Sequence, residues 1–227
     1  MSSVFGTTSV QAGETAVLEL FTSQGCSSCP PADKLLQAVA GQPGVVALSF
    51  PVDYWDYLGW KDTLASPAYS ARQRAYAERR GDRSVYTPQI VVNGGEHVVG
   101  SDVRSLAAAV SKLGPMPCQV SLKPQGDVVE IHVDGDLPKG TKAAMVFFLF
   151  VDDHETVQIG RGENTGRSVT YTNVVRDMRA VGMWKGGEAV YSLPASELSR
   201  LSANRYAVIV QPEVNGRPGP IIGAAIH

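Results

Sequence analysis

Cysteine is scarce in this chain, and neither sign of charge is in excess. Three cysteines in 227 residues are too few for the disulfide framework that holds small secreted scaffolds together. A chain of this length does not need one, because it can bury a core of its own. Twenty basic against 22 acidic residues exclude the overall basic excess of a nucleic-acid binder, leaving only a local patch open. Long apolar runs are missing as well. The longest, Ala143 to Val151, falls far short of the roughly 20 residues a spanning helix needs, so no transmembrane segment is expected. Met1 to Thr8 have neither the basic nor the apolar region of a signal peptide. Yet Val10-Gln11-Ala12 has the small-residue spacing of a signal-peptidase site. Residues 1–16 are therefore read either as an ordinary flexible terminus or as the remnant of a leader. Glycine (23) and proline (14) exceed average usage but stay well below disordered composition. A folded, loop-rich chain is expected.

What is present divides near residue 114. Val17 to Phe21 is a short apolar strand. Ala32, Leu35, Leu36, Val39 and Ala40 then recur on one face of a helix, which Gly41 and Pro43 stop. Val45 to Phe50 is an almost unbroken apolar strand, so the segment reads as a βαβ unit with parallel strands. Ser66-Pro67 opens a second helix, and Arg79, Arg80 and Gly81 close it. Ile90 to Val92 and His97 to Val99 flank Asn93-Gly94-Gly95, a hairpin signal. Ser101 is the expected cap of a third helix carrying Val103, Leu106, Val110 and Leu113. Past Gly114-Pro115-Met116-Pro117 the pattern is β-rich. Val129, Ile131 and Val133 alternate with polar residues, Met145 to Val151 is a buried strand, and Ser168 to Val175 and Tyr206 to Val210 add further strands. A short helix is expected only near Ala195 to Leu201. The second part, 119–227, reads as a β-sandwich.

The chemistry concentrates at Cys26-Ser27-Ser28-Cys29. The pair lies between the carboxyl end of the first strand and the start of the first helix, where α/β sheets place their sites. A helix amino terminus favours a thiolate, so the pair can cycle between dithiol and disulfide. Pro30 and Pro31 suit the first helical turn but remove N–H donors. Half of a zinc site is a second reading, since CxxC pairs also ligate metals. Against it, Cys118, His97, His132 and His154 have no ligand spacing with the pair. Two unrelated loop cysteines are a third. Trp55 and Trp60, with Tyr54 and Tyr57, follow the second strand and either line a cleft near the cysteines or complete a core. Asp152-Asp153-His154-Glu155 is read as a charged hairpin turn rather than a metal site. Cys118 is read as buried and inert.

Glu19-Leu20-Phe21-Thr22-Ser23-Gln24-Gly25-Cys26-Ser27-Ser28-Cys29-Pro30-Pro31-Ala32-Asp33 resembles an uncharacterised bacterial family of thioredoxin-like proteins, often predicted to be secreted (domain of unknown function 1223). Val52-Asp53-Tyr54-Trp55-Asp56-Tyr57-Leu58-Gly59-Trp60-Lys61-Asp62 and Arg161-Gly162-Glu163-Asn164-Thr165-Gly166-Arg167 are similar to its signatures, and the likeness spans nearly the whole chain. It implies an α/β thioredoxin-like domain over 17–114, followed by the all-β sandwich-like domain over 119–227. By analogy it implies thiol–disulfide oxidoreduction on a protein or peptide partner, with no cofactor besides the dithiol. Cys26, ahead of the helix, is expected to lie nearer solvent and to attack, and Cys29, further into the first turn, to resolve. The alternative is a non-enzymatic binding module for a metal or protein partner. A third reading is an interaction protein with idle thiols. Thr87-Pro88 matches the loop, usually with a cis proline, that faces the cysteines in such proteins and binds the substrate; without the likeness it is a proline that opens a strand. Trp55 would join it in substrate binding. Glu19, the charged residue of an apolar strand, resembles the buried carboxylate beneath the dithiol, a proton acceptor for Cys29; strand alternation alone leaves it free to face solvent. The resemblance points to a periplasmic or exported protein, and a native start at Met1 to a cytoplasmic one.

Overall fold

Local signals along the first half produce the expected elements in the computed structural model of the chain, which describes residues 16–194, 196–197 and 203–227. The N-terminal segment with Val10-Gln11-Ala12, and most of the short helix expected near Ala195 to Leu201, lie outside the described residues. Strand β1 (Ala16–Thr22) leads to helix α1 (Pro30–Val39) and strand β2 (Val45–Pro51). β1 and β2 pair in parallel, Leu18 beside Ala47 and Phe21 beside Phe50. Helix α2 (Pro67–Arg80) starts where Ser66 accepts a hydrogen bond from the Ala68 N–H, and stops at Gly81, whose φ of 81° is left-handed. Side-chain capping and a left-handed glycine are the two ordinary ways to satisfy groups left over at helix ends. Strands β3 (Gln89–Val92) and β4 (His97–Val99) form the hairpin, and helix α3 (Val103–Val110) follows. Its cap is Asp102, which accepts from the Arg104 and Ser105 N–H groups, and not the expected Ser101. A carboxylate serves this position as well as a hydroxyl does, so the two neighbours could not be ranked by type.

The second half overturns the expected fold class. Strands β5 (Cys118–Gln125), β6 (Val128–Gly135) and β9 (Ala189–Pro194) make a three-stranded antiparallel sheet. Strands β7 (Ala144–Gln158), β8 (Ser168–Trp184), β10 (Arg205–Gln211) and β13 (Gly223–Ile226) instead join the sheet begun by β1. β11 (Glu213–Val214) and β12 (Arg217–Pro218) form a small hairpin apart from both. The result is one eight-stranded mixed sheet, ordered β13-β10-β7-β8-β2-β1-β3-β4. Of the described residues, 44% are strand and 18% helix. It is not an α/β thioredoxin-like domain followed by an all-β sandwich. Periodicity identified these strands as half-buried or buried, but it carries no information on which strand lies beside which.

The seam between halves is the parallel contact of β2 with β8 at Ser49 and Val174. Side chains supplement the ladder there. Ser49 Oγ donates to the Thr172 carbonyl at 2.8 Å, and Asn173 Nδ2 donates to the Ala47 carbonyl at 2.9 Å. Asn173 has a φ of 49°, a conformation that asparagine tolerates better than most residues. One core is shared across the seam: Val17, Phe21, Leu48, Phe50, Tyr69 and Tyr76 pack with Leu149, Val151, Ala207 and Ile209. Helices α1 and α3 cover Leu18, Leu20, Ala47 and Ile90. The three-stranded sheet covers Phe148, Phe150, Val208 and Val210 with Val129, Ile131 and Val133.

Asp152-Asp153-His154-Glu155 is a second correction. These residues lie inside β7, His154 opposite Thr172 of β8, not in a hairpin turn. Asp152 pairs with Arg176 and Asp153 with Arg205, so the acidic run continues the strand with both aspartates opposite cations. Among the described residues no helix is long and apolar enough to cross a membrane.

Candidate active site

Cys26 and Cys29 are joined as a disulfide at the start of α1, with Cα atoms 5.4 Å apart. The loop that carries them is built by β1 ending at Thr22 and turning sharply. The Cys26 N–H donates to the Ser23 carbonyl, the Gly25 N–H to Ser23 Oγ, and the Cys29 N–H to the Cys26 carbonyl. Cys29 caps the helix through its carbonyl, which accepts from the Ala32 and Asp33 N–H groups at 2.8 and 3.1 Å. Pro30 and Pro31 occupy the first turn, where no intrahelical partner exists for an N–H.

Thr87-Pro88 is brought to the same place. The peptide is cis, and the approach is close: a Cβ on Gly100 would lie 3.0 Å from Ala32 of α1, from Leu20 and from Pro88. Gln73 on α2 holds the preceding residue, donating to the Tyr86 carbonyl at 2.8 Å. Trp55 bridges the two loops. Its indole N–H donates to Thr87 Oγ1 at 2.8 Å, and a Cβ added on Gly25 would lie 3.0 Å from the Trp55 Cβ and 3.4 Å from its carbonyl oxygen. Burial raises the Tyr54 phenol, whose ring is tilted against that of Trp55, to about 12. Trp60 supports the loop from beneath, its indole N–H donating to Gln24 Oε1 at 2.7 Å. Tyr57 is 78% exposed.

Two expected features differ. Cys26 does not stand nearer to solvent than Cys29: their exposures are 1% and 0%. Ser27 and Ser28 are the exposed residues of the loop, and Ser28 Oγ lies 3.3 Å from Cys26 Sγ. Glu19 is fully buried, but its partners are on α2. Arg72 Nε donates to one oxygen at 2.7 Å and the Tyr76 hydroxyl to the other at 2.6 Å. Arg72 also donates to Gln211 of β10 at 2.9 Å. Strand alternation places Val17, Glu19 and Phe21 toward α2, and Leu18 and Leu20 toward α1.

Several site residues carry no role in the sequence reading. Asn164, in the connection between β7 and β8, donates from Nδ2 to both the Gln24 and Cys26 carbonyls, at 3.0 and 2.8 Å. Neighbouring Glu163 accepts from the Ser27 N–H at 3.2 Å, and its bonds with Ser27 hold the carboxyl below its ordinary value. Asp62 accepts from the Gln24 N–H at 2.8 Å; burial pushes its carboxyl up. Asp33, one helical turn beyond Cys29, is 2% exposed and accepts from Thr22 Oγ1 at 2.8 Å. Burial raises its carboxyl to about 8. The four-residue step from Cys29 was the signal available for Asp33; Asn164 and Glu163, more than 130 positions from the cysteines, stood out only within the Arg161 to Arg167 signature, with nothing to tie them to the pair. Cys118 starts β5, its thiol donating to the Ile222 carbonyl at 3.3 Å, and burial raises it to about 12. Among the described residues, no three His, Cys, Asp or Glu side chains cluster as metal ligands.

No curated protein matches this chain. A crystal structure of protein AGR_C_4864 from Agrobacterium tumefaciens, a structural-genomics target, is 38% identical over 95% of both chains, with a TM-score of 0.84. Residues 17–211, which include all of the site just described, match the family described as protein of unknown function (DUF1223), and the chain belongs to that family.

Proposed function

We propose that this protein is a thiol–disulfide oxidoreductase acting on a protein or peptide partner through Cys26 and Cys29. The observation that carries the reading is the bonded pair at the start of α1, flanked by the Thr87-Pro88 loop and Trp55. A vicinal pair at a helix amino terminus is suited to reversible exchange, because the helix end favours the thiolate that attacks or leaves. Cys26 is the exchanging sulfur, since it adjoins the exposed Ser27 and Ser28, whereas Cys29 is anchored in the first turn. Cys29 then resolves the mixed disulfide. Thr87 and Trp55, both half-buried beside the pair, are the groups that contact an incoming chain.

The test is a trapping experiment with a disulfide-bonded peptide. Reduced Cys29→Ser should accumulate a covalent adduct through Cys26, and Cys26→Ser should accumulate none. Wild-type turnover of that peptide by the Cys26→Ser, Cys29→Ser double variant would end the oxidoreductase reading. Tight metal binding by the reduced pair without exchange would replace it with a binding module.

A further inference from the structure

The Asp33 carboxyl is an anomaly in this fold. It is buried, one oxygen accepts from Thr22, and the other, Oδ2, has no hydrogen-bond partner among the described residues. Buried polar atoms are almost always paired, so an orphan oxygen calls for a reason. Asp33 of α1 follows the helix's cap residue Cys29 by four positions, and both are buried. Side chains at that spacing are neighbours. The other buried carboxylates nearby are engaged: Glu19 by Arg72 and Tyr76, and Asp62 by the Gln24 and Leu64 N–H groups.

We infer that Asp33 is the proton acceptor and donor for Cys29 in the exchange proposed above, on which this inference rests. In the reducing direction, the Cys26 thiolate attacks the partner's disulfide, forming the mixed disulfide and releasing one partner thiolate. Asp33 Oδ2 takes the Cys29 proton. The Cys29 thiolate attacks Cys26 Sγ, the intramolecular disulfide forms, and the second partner thiolate leaves. Two electrons pass from the cysteine pair to the partner, and the proton on Asp33 passes to the released thiolate or to water. In the oxidising direction Asp33 returns the proton to Cys29 as its sulfur departs.

The surroundings keep both forms of Asp33 available. Desolvation is the main cause of its raised carboxyl, near 8; the Thr22 hydroxyl opposes it, and the charge of Asp62 adds to it. Tyr171 of β8 faces the same two carboxyls and is itself pushed far up, first by burial. Among the described residues no cation offsets these groups in the way Arg72 offsets Glu19.

Stopped-flow reaction of the reduced protein with an aromatic disulfide, such as dithiobis-nitrobenzoate, separates the steps. The first thiolate released reports attack by Cys26, and the second reports resolution by Cys29. Asp33→Asn should slow the second phase by about tenfold or more near pH 7 and remove its inflection near pH 8, while the first phase persists. Thr22→Val, which takes away the hydroxyl that lowers the Asp33 carboxyl, should move that inflection to higher pH. It serves where Asp33→Asn fails to fold. An Asp33→Asn second phase with wild-type rate and pH profile overturns the role of Asp33, as does an inflection that Thr22→Val leaves in place. Absence of any second phase in the wild type would instead sink the oxidoreductase reading itself.

Discussion

At the scale of single residues, two buried carboxyls have opposite fates. Asp33 has an ordinary value of 3.8, raised to about 8 in the fold. Between those values the folded chain holds more protons than the unfolded one. Stability is then fully present below about pH 4 and lost as pH rises through 8, with a slope of up to about 1.4 kcal/mol per pH unit. Urea denaturation across this range should show the decline in the wild type and its absence in Asp33→Asn; equal slopes would contradict burial of an unpaired carboxyl. Glu19 belongs to an ion pair with Arg72 in which the carboxylate is fully buried and the guanidinium nearly so. Glu19→Gln leaves a buried guanidinium without its counter-charge, which should cost about 3–5 kcal/mol. The reaction with dithiobis-nitrobenzoate should keep its wild-type pH profile in that variant. A shifted profile with unchanged stability would return to Glu19 the proton-accepting role that its resemblance suggested.

Elements far apart in the chain cooperate at the cysteine loop. The connection after β7 supplies Asn164, whose amide satisfies two carbonyls of the loop, and Arg167 holds Asn164 in place from its other end at 3.0 Å. Removing that amide by Asn164→Ala leaves both carbonyls short of a donor, about 1–3 kcal/mol. That corresponds to roughly 5- to 150-fold in the population of an opened loop. Because both cysteines are buried in the bonded state, reduction by dithiothreitol should accelerate in Asn164→Ala. An unchanged rate would mean that access to the sulfurs does not pass through this brace. The seam strand β8 makes a similar demand on Asn173, whose left-handed backbone and amide serve together.

Across the whole molecule, the central sheet and the core beneath α2 draw on both halves of the chain. Residues 17–114 alone would expose Phe50, Leu48 and Val17 where Leu149, Val151, Ala207 and Ile209 now cover them. They would also strip Arg72 of its contact with Gln211. The expected outcome for that fragment is aggregation or a non-cooperative thermal transition. A soluble fragment with a sharp transition and native amide dispersion would instead establish position 114 as a folding boundary.

Sequence alone determined the elements of the first half and the location of the reactive pair. Ser66-Pro67, Gly81, Asn93-Gly94 and the apolar spacing from Ala32 to Val39 each act on their own backbone neighbourhood, so their effect is readable without the rest of the chain. Near residue 101 two adjacent capping residues competed, and local reading chose the wrong one. Tertiary structure alone decided that β8 lies beside β2, that Asn164 reaches the Cys26 carbonyl, that Glu19 meets Arg72, and that Asp33 loses water from one oxygen. Each of these depends on which apolar faces find each other. A strand pattern specifies only that a face will be buried, while the identity of its neighbour is set by the packing of the whole core.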